Sequence, residues 1–146
     1  ASVDRMVVLY PDPWPKTRHK KRRIVNEGLL KEAHRLLKPD GELRLVTDVV
    51  DYALWMMAAV NEEGTFFPTA ISPKEWSEAP ADWVSTGYER KALKEGRCPF
   101  YFVLKRREDM EKQNHNKNQG EIQKQDENQN QSQEYFYYQL HMGQKQ

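Results

Sequence analysis

Residues 6–16 read MVVLYPDPWPK, and this stretch decides the expected fold. The apolar run at residues 6–10 is typical of a strand that is buried on both faces of a parallel sheet. The prolines that follow fix φ and remove backbone donors, so we expect the chain to leave the sheet in a stiff, extended form. Asp12 and Trp14 then lie at the carboxyl end of the strand, where open α/β sheets bind their ligands.

The rest of residues 1–107 alternates helix and strand, as an open α/β sheet requires. Asn26 is the expected N-cap of the first helix. Asp48 follows a strand at residues 42–46, and it fits two roles, as the N-cap of the next helix or as a second acid at a strand end. The other expected features are a turn at residues 38–41, a helix end at Gly64, a short strand at 66–67, a helix at 90–95 begun by Thr86, and a last strand at 100–107.

A dense cluster of cations follows the proline-rich stretch. Such a cluster repels itself unless an anionic partner neutralises it, and phosphates are the obvious partner. About five phosphate contacts would give binding a log–log salt slope of roughly −4. The ordinary alternatives are a solvated helix start for the cations and plain packing for Trp14. The six cations are Lys16, Arg18, Lys20, Lys21, Arg22 and Arg23, with His19 among them.

The composition changes abruptly at residue 108. Residues 1–107 contain no glutamine, whereas residues 108–146 contain ten glutamines and five asparagines. We expect a disordered tail there, because this composition cannot bury enough apolar surface to offset its conformational entropy. The first segment carries 19 Lys and Arg against 15 Asp and Glu, and the tail 4 against 7. The near-neutral total therefore conceals a basic domain.

Several classes of protein lose support from the sequence. The single cysteine, Cys98, cannot form an internal disulfide, and no apolar run reaches the roughly 20 residues that cross a bilayer. Because no signal peptide is recognised either, we expect a cytoplasmic protein. The four histidines lack the spacing of a metal site, and neither a Gly-x-Ser-x-Gly motif nor a phosphate-binding Gly-rich loop is present.

Four separated motifs resemble the bacterial tRNA (guanine-N7-)-methyltransferase family. The resemblance covers residues 1–107 and implies a Rossmann-like class I α/β fold, with a mostly parallel sheet and helices on both faces. It also implies transfer of a methyl group from S-adenosylmethionine to N7 of the guanosine at position 46 of tRNA. The expected partner is tRNA, and neither DNA nor a membrane is expected. The motifs are YPDPWPK at residues 10–16, RHKKRR at 18–23, VTD at 46–48, and YE at 88–89 ahead of GR at 96–97.

The resemblance implies roles for single residues. Asp12 corresponds to the active-site acid, at the junction of methyl donor and guanine. Lys16 and Asp48 correspond to substrate-binding positions, and residues 18–23 to the segment that contacts tRNA. A Thr-x-x-Glu substrate-binding motif aligns with Thr86, Gly87, Tyr88 and Glu89, which favours a ligand role for Glu89 over a capping role.

These residue types fit the implied chemistry. Guanine N7 has an unprotonated lone pair and needs no strong general base, so positioning should supply most of the acceleration. The Asp12 carboxylate could stabilise the positive charge that develops on the purine. Glu89 or Asp48 could accept hydrogen bonds from guanine N1–H and N2–H₂, and Trp14 could stack on a base.

The chain also departs from the family pattern. It begins at what the resemblance makes the fourth strand, and none of its seven glycines forms a Gly-x-Gly turn. We therefore expect the donor-binding half to be absent, the strand at residues 6–10 to expose an edge and apolar faces, and this chain not to methylate alone. Two hypotheses remain. One is the C-terminal part of a tRNA methyltransferase, and the other is a non-catalytic RNA-binding module that uses residues 16–23.

Overall fold

The computed structural model of this chain describes residues 2–108. The predicted tail at residues 108–146 lies outside this part, except for its first residue. The described part folds into one mixed α/β unit built on a single sheet. Its elements are β1 (Val3–Leu9), a 3₁₀ helix (Thr17–Arg22), α1 (Glu27–Leu36), β2 (Leu37–Thr47), α2 (Val50–Glu63), β3 (Phe66–Pro68), α3 (Pro73–Trp76), α4 (Gly87–Lys94) and β4 (Phe100–Arg106).

The sheet has the strand order β1-β2-β4-β3. β1 runs parallel to β2, with Leu9 opposite Val46, while β4 is antiparallel to both β2 and β3. Phe100, the first residue of β4, lies opposite Thr47, the last residue of β2. The carboxyl ends of β1 and β2 therefore meet the start of β4 at one end of the sheet. The expected α/β class is confirmed, with one parallel and two antiparallel pairings among the described strands.

β1 is an edge strand of the described sheet. Met6 and Val8 pack against the core, whereas Val7 is 44% and Leu9 41% exposed on the other face. The prediction that this strand is buried on both faces is wrong for the described chain. The accompanying expectation, an exposed edge with exposed apolar side chains, is confirmed.

The hydrophobic core joins the sheet to α1 and α2. Leu43 and Leu45 of β2 are fully buried, and so are Leu30 and Ala33 of α1. Because side chains in a strand alternate between the two faces, the two β2 leucines lie on one face of the sheet. α2 covers this core with Tyr52, Ala53, Met56, Met57 and Val60.

Most of the predicted element ends are confirmed. Asn26 caps α1, where its Oδ1 accepts a hydrogen bond from the backbone N–H of Leu29 at 3.0 Å. Gly64 ends α2 with φ of 83°, a conformation that favours glycine. The short strand at Phe66–Pro68 and the last strand at Phe100–Arg106 lie where the sequence indicates, with the last strand ending one residue earlier.

Two local predictions are wrong. α2 begins after Val49 rather than after Asp48, because the Asp48 carboxylate is held in an ion pair elsewhere. The predicted turn at residues 38–41 does not separate α1 from β2, since β2 begins directly after α1 and includes these residues. The extra residues bulge instead: the register changes from Val3 opposite Leu37 to Arg5 opposite Glu42.

Candidate active site

The site begins with Tyr10, directly after β1. Its backbone N–H donates to the carbonyl of Val46 at 2.8 Å, which extends the β1–β2 pairing by one residue. Its φ is 47°, a value that non-glycine residues rarely adopt. The Tyr10 ring packs on the ring of Tyr88 with centroids 4.6 Å apart. The end of β1 is therefore set against α4.

A strained loop, residues 10–16, carries Asp12 and Lys16, and we call it the Asp12 loop. Trp14 in this loop also has positive φ, 40°. Each such non-glycine conformation costs about 1–3 kcal/mol and persists where surrounding contacts enforce it. Asp12 and Lys16 are both exposed to solvent. The structure thus presents the predicted active-site acid on a constrained backbone at the carboxyl end of β1.

Trp14 is held by the basic segment that follows it. Its ring lies edge-on to His19, with centroids 5.7 Å apart, and the guanidinium of Arg22 lies 5.1 Å from its centroid. Such a cation–π contact is worth about 0.5–1 kcal/mol at an exposed site. The side chain predicted to stack on a base thus has protein partners on the same segment.

Asp48 follows β2 and forms the second part of the site. Its side chain is only 3% exposed, and its Oδ2 lies 2.9 Å from Nε of Arg97. The Tyr88 hydroxyl lies 3.4 Å and 3.5 Å from its two oxygens. Arg97 also pairs with Glu95 at 2.6 Å, and its guanidinium lies 5.8 Å from the centre of the Tyr88 ring. Arg97 is thus a fixed cationic neighbour of Asp48 that the sequence analysis did not assign.

Glu89 is a buried carboxylate at the start of α4. It is 3% exposed. Its Oε2 accepts from Nε1 of Trp83 at 2.7 Å, and its Oε1 accepts from the hydroxyl of Tyr101. Its backbone N–H donates to the Thr86 hydroxyl at 3.1 Å, so the predicted N-cap is confirmed. The Glu89 side chain does not return to the cap but faces the aromatic side chains.

The tyrosines around Glu89 are held in their neutral form. Burial is the largest cause that raises the pKa of the Tyr101 hydroxyl, followed by its hydrogen bond to Glu89. Burial and then the charge of Glu89 also raise the pKa of Tyr10. Both effects follow from placing phenols beside a carboxylate in a partly dry environment, which disfavours a second negative charge.

Trp83 is positioned by its neighbour Asp82. Arg44, a buried residue of β2, donates to Oδ1 of Asp82 at 2.9 Å, and Arg5 of β1 donates to Oδ2 at 2.9 Å. The sheet thereby holds the loop before α4 in place. Trp83, the next residue in this loop, donates its indole N–H to Glu89.

The basic segment divides into an exposed and a buried part. Lys20 lies 3.5 Å from Asp51, and Arg23 is 1% exposed and pairs with the same carboxylate at 2.5 Å. The guanidinium of Arg23 is therefore covered by protein, which disfavours the RNA contact predicted for it. The remaining exposed cations form one segment that we call the cationic surface: Lys16, Arg18, Lys21 and Arg22.

Residues 2–108 contain no cluster of three or more His, Cys, Asp or Glu side chains that could hold a metal ion. In the same part of the chain, no helix combines the length and the apolar character needed to span a bilayer.

Comparison with known proteins gives the family. Residues 1–101 match a family described as "Putative methyltransferase". This chain belongs to that methyltransferase family.

Several similar proteins carry one and the same name, tRNA (guanine-N(7)-)-methyltransferase. The protein from Rhodospirillum rubrum is 46% identical over 105 residues, which cover 72% of this chain and 41% of that protein. The protein from Jannaschia is 45% identical over 106 residues, or 73% of this chain and 44% of that protein. The protein from Agrobacterium fabrum is 42% identical over 106 residues, covering 73% and 46%. The chain thus spans less than half the length of these relatives.

In this methyltransferase-family chain, the fold brings some of the predicted site residues into contact, and residues that were not predicted also contact them. Asp48 and Tyr88 are in contact, and Glu89 adjoins Tyr88 on α4. Gly87 is exposed as the first residue of α4, and Asp12 lies two residues along the chain from Tyr10, whose ring packs on Tyr88. The residues that sequence reasoning missed as site partners are Tyr10, Trp83, Arg97 and Tyr101.

Proposed function

We propose that the protein containing this chain is an S-adenosylmethionine-dependent tRNA (guanine-N7-)-methyltransferase, acting on the guanosine at position 46 of tRNA in the cytoplasm. The observation that carries the proposal is the 46% identity over 105 residues to a relative of that name. Residues 1–101, which match the methyltransferase family, include a constrained, exposed acid and two buried carboxylates at one end of the sheet. Because the chain spans 41% of that relative, the activity concerns the complete gene product.

The proposed reaction requires that guanine N7 be aligned with the methyl group and that the positive charge on the purine be stabilised. Guanine N7 attacks with its own lone pair, so no side chain has to remove a proton beforehand. S-adenosylmethionine, when bound, supplies an electrophilic methyl group on a sulfonium sulfur. Asp12 offers an exposed carboxylate, which can face the sulfonium and then the methylated purine, both of which are cationic. The exposed acid Asp12 suits the sulfonium end of S-adenosylmethionine. A Gly-x-Gly turn, which would hold the rest of that molecule, is not in this sequence.

Asp48 and Glu89 are the proposed acceptors for the guanine edge. Both side chains are only 3% exposed, so guanine N1–H and N2–H₂ reach them only when neighbouring side chains move aside. A carboxylate has about four lone-pair sites, so the contacts that hold each group then leave acceptor capacity. Tyr88, 49% exposed, presents its ring beside Asp48, where a base can stack. Adenine lacks this donor pair, so the arrangement favours guanine.

The cationic surface is the proposed tRNA contact. Lys16, Arg18, Lys21 and Arg22 lie on or directly before the 3₁₀ helix that follows the Asp12 loop. Contacts to phosphates would fix the position of the RNA without reading its sequence. In this arrangement, the surface that binds the backbone adjoins the loop that carries the acid.

The test is a methyl-transfer assay with the complete gene product and two tRNA transcripts. One transcript has guanosine at position 46, and its matched control has adenosine there. We expect 7-methylguanosine, identified by mass spectrometry of nucleosides, in the first transcript alone. Methylation of both transcripts would overturn the assigned position. Tight tRNA binding without any methylation would favour the non-catalytic RNA-binding module.

A further inference from the structure

Arg23 is a fully buried cation at the end of a segment that otherwise faces solvent. Its guanidinium lies between two aromatic rings of α2, 4.8 Å from the centre of Tyr52 and 5.0 Å from that of Trp55. With 1% exposure, it has no free face for a phosphate. Burial of a charged side chain is costly unless its partners are well placed, so these contacts call for an explanation.

The hydrogen bonds of Arg23 join the Asp12 loop to α2. Its Nε donates to the carbonyl oxygen of Pro13 at 2.7 Å, and its Nη2 donates to Oδ2 of Asp51 at 2.5 Å. The peptide that begins at the Pro13 carbonyl leads directly into Trp14. Arg23 therefore fixes the orientation of the backbone next to the residue whose φ is 40°.

The segment around Arg23 is itself anchored on α2. The Tyr52 hydroxyl accepts from the backbone N–H of Val25 at 3.2 Å. Nε1 of Trp55 donates to the carbonyl of Val25 at 2.8 Å. Since α2 starts two residues after Asp48, the same helix sets Asp48 and Arg23 relative to each other.

The Asp12 loop depends on such contacts at both ends. At its start, Tyr10 is held by Val46 and by the Tyr88 ring. Strained φ values persist only where the surroundings enforce them. Asp12 lies between the two held positions and is itself exposed, so its location follows from how the loop ends are fixed.

We propose that Arg23 is a positioning residue that holds the Asp12 loop for methyl transfer, rather than a contact to tRNA phosphate. The expected effect of Arg23 on methyl transfer rests on the proposed function. The holding of the loop is a separate statement about this chain, and it is measurable without activity.

The kinetic test compares variants of the complete gene product. Arg23→Lys keeps the charge but loses the paired hydrogen bonds and the planar stacking. We expect the single-turnover rate of Arg23→Lys to fall by about 10–100-fold, because misplacement of about 1 Å can cost 100-fold. Arg23→Met removes the charge, and we expect it to leave the Kd for tRNA and its salt slope unchanged. Arg22→Met, at the neighbouring exposed cation, should instead raise Kd and flatten the slope. Arg35→Met, on the exposed face of α1, should change none of these quantities.

The second test measures hydrogen exchange of backbone amides. In Arg23→Lys we expect faster exchange at Tyr10 and His19, whose N–H groups donate to the carbonyls of Val46 and Lys16 at the two ends of the Asp12 loop. Exchange at residues 43–46 in β2 should not change. This control region shows that the variant is folded. Should Arg23→Lys not fold, Asp51→Asn removes one partner of Arg23 from an exposed position and should give the same change in a weaker form.

Each outcome decides the proposal. A raised Kd with a flattened salt slope in Arg23→Met, as expected for Arg22→Met, would make Arg23 a phosphate contact and overturn it. An unchanged rate, or unchanged exchange at both Tyr10 and His19, would also overturn it. If the unmodified gene product does not methylate tRNA, the proposed function fails, and the exchange measurement still decides whether Arg23 holds the loop.

Discussion

At the scale of single residues, a change at Asp12 should affect the rate of methyl transfer but not the affinity for tRNA. It is an exposed acid on a backbone with positive φ at Tyr10 and Trp14, and it is not one of the cations of the adjoining cationic surface. We expect Asp12→Asn to lower the single-turnover rate of the complete gene product by at least about 100-fold, as loss of a preorganised charge does.

The affinity for tRNA should not change in Asp12→Asn, as measured by filter binding. Asp40→Asn, at an exposed acid in β2, is the matched control and should alter neither quantity. Weaker tRNA binding combined with a normal rate per bound tRNA would contradict the assigned role of Asp12.

The Tyr101–Glu89 hydrogen bond gives a prediction about stability. Tyr101→Phe removes one donor from a buried carboxylate, so we expect the free energy of unfolding to fall by about 1–3 kcal/mol near neutral pH. Tyr88→Phe removes a hydroxyl that lies 3.4 Å from Asp48 on a half-exposed side chain. Its effect should stay within about 0.5 kcal/mol. Urea titrations measure both values.

The same pair predicts a dependence on alkaline pH. The pKa of Tyr101 is raised in the folded state, so its stabilisation is complete below the unfolded pKa of about 10 and is lost as pH rises above it. The difference in stability between the unmodified chain and Tyr101→Phe should therefore shrink above about pH 10. A difference that is constant or grows with pH would show that Tyr101 is not held in its neutral form.

At the scale of elements, the 3₁₀ helix predicts the salt dependence of tRNA binding. Lys21→Ala with Arg22→Ala removes two exposed cations, and counterion release predicts a salt slope that is shallower by about 2. The matched control, Lys31→Ala with Lys74→Ala, removes the same charge from exposed positions on α1 and α3. It should leave the slope unchanged. Equal effects of the two double variants would indicate a response to net charge alone.

At the scale of the whole molecule, the exposed edge of the sheet predicts self-association of the 146-residue chain. Among the described residues, no strand pairs with the outer edge of β1, which also presents Val7 and Leu9, and this combination invites pairing with another chain. We expect Val7→Lys to reduce concentration-dependent association in sedimentation experiments. Val84→Lys, at a more exposed valine outside the strands, should have little effect. Equal association in Val7→Lys and the unmodified chain would exclude this edge as the contact.

The features that could be read from the sequence are local ones. Asn26, Gly64 and Thr86 act within a few residues of their own position, through a cap or a positive φ, so the pattern of neighbouring residues was enough to place them. The motifs at residues 10–16 and 46–48 likewise pointed to the end of the sheet where the candidate site lies. The family and the chemistry it suggests followed from the same short stretches.

Tertiary structure decided which charges are free and which are held. The local sequence around Asp48 is equally compatible with a helix cap, because it does not show that Arg97 pairs with this side chain. The local sequence does not distinguish Arg23 from its exposed neighbours either, because it does not show the pairing with Asp51. The aromatic partners of Glu89 come from separate elements for the same reason. The sequence by itself determined the elements and the candidate residues, whereas packing between distant segments decided the roles of the charges, since a charge is stabilised by partners that only the fold brings within hydrogen-bonding distance.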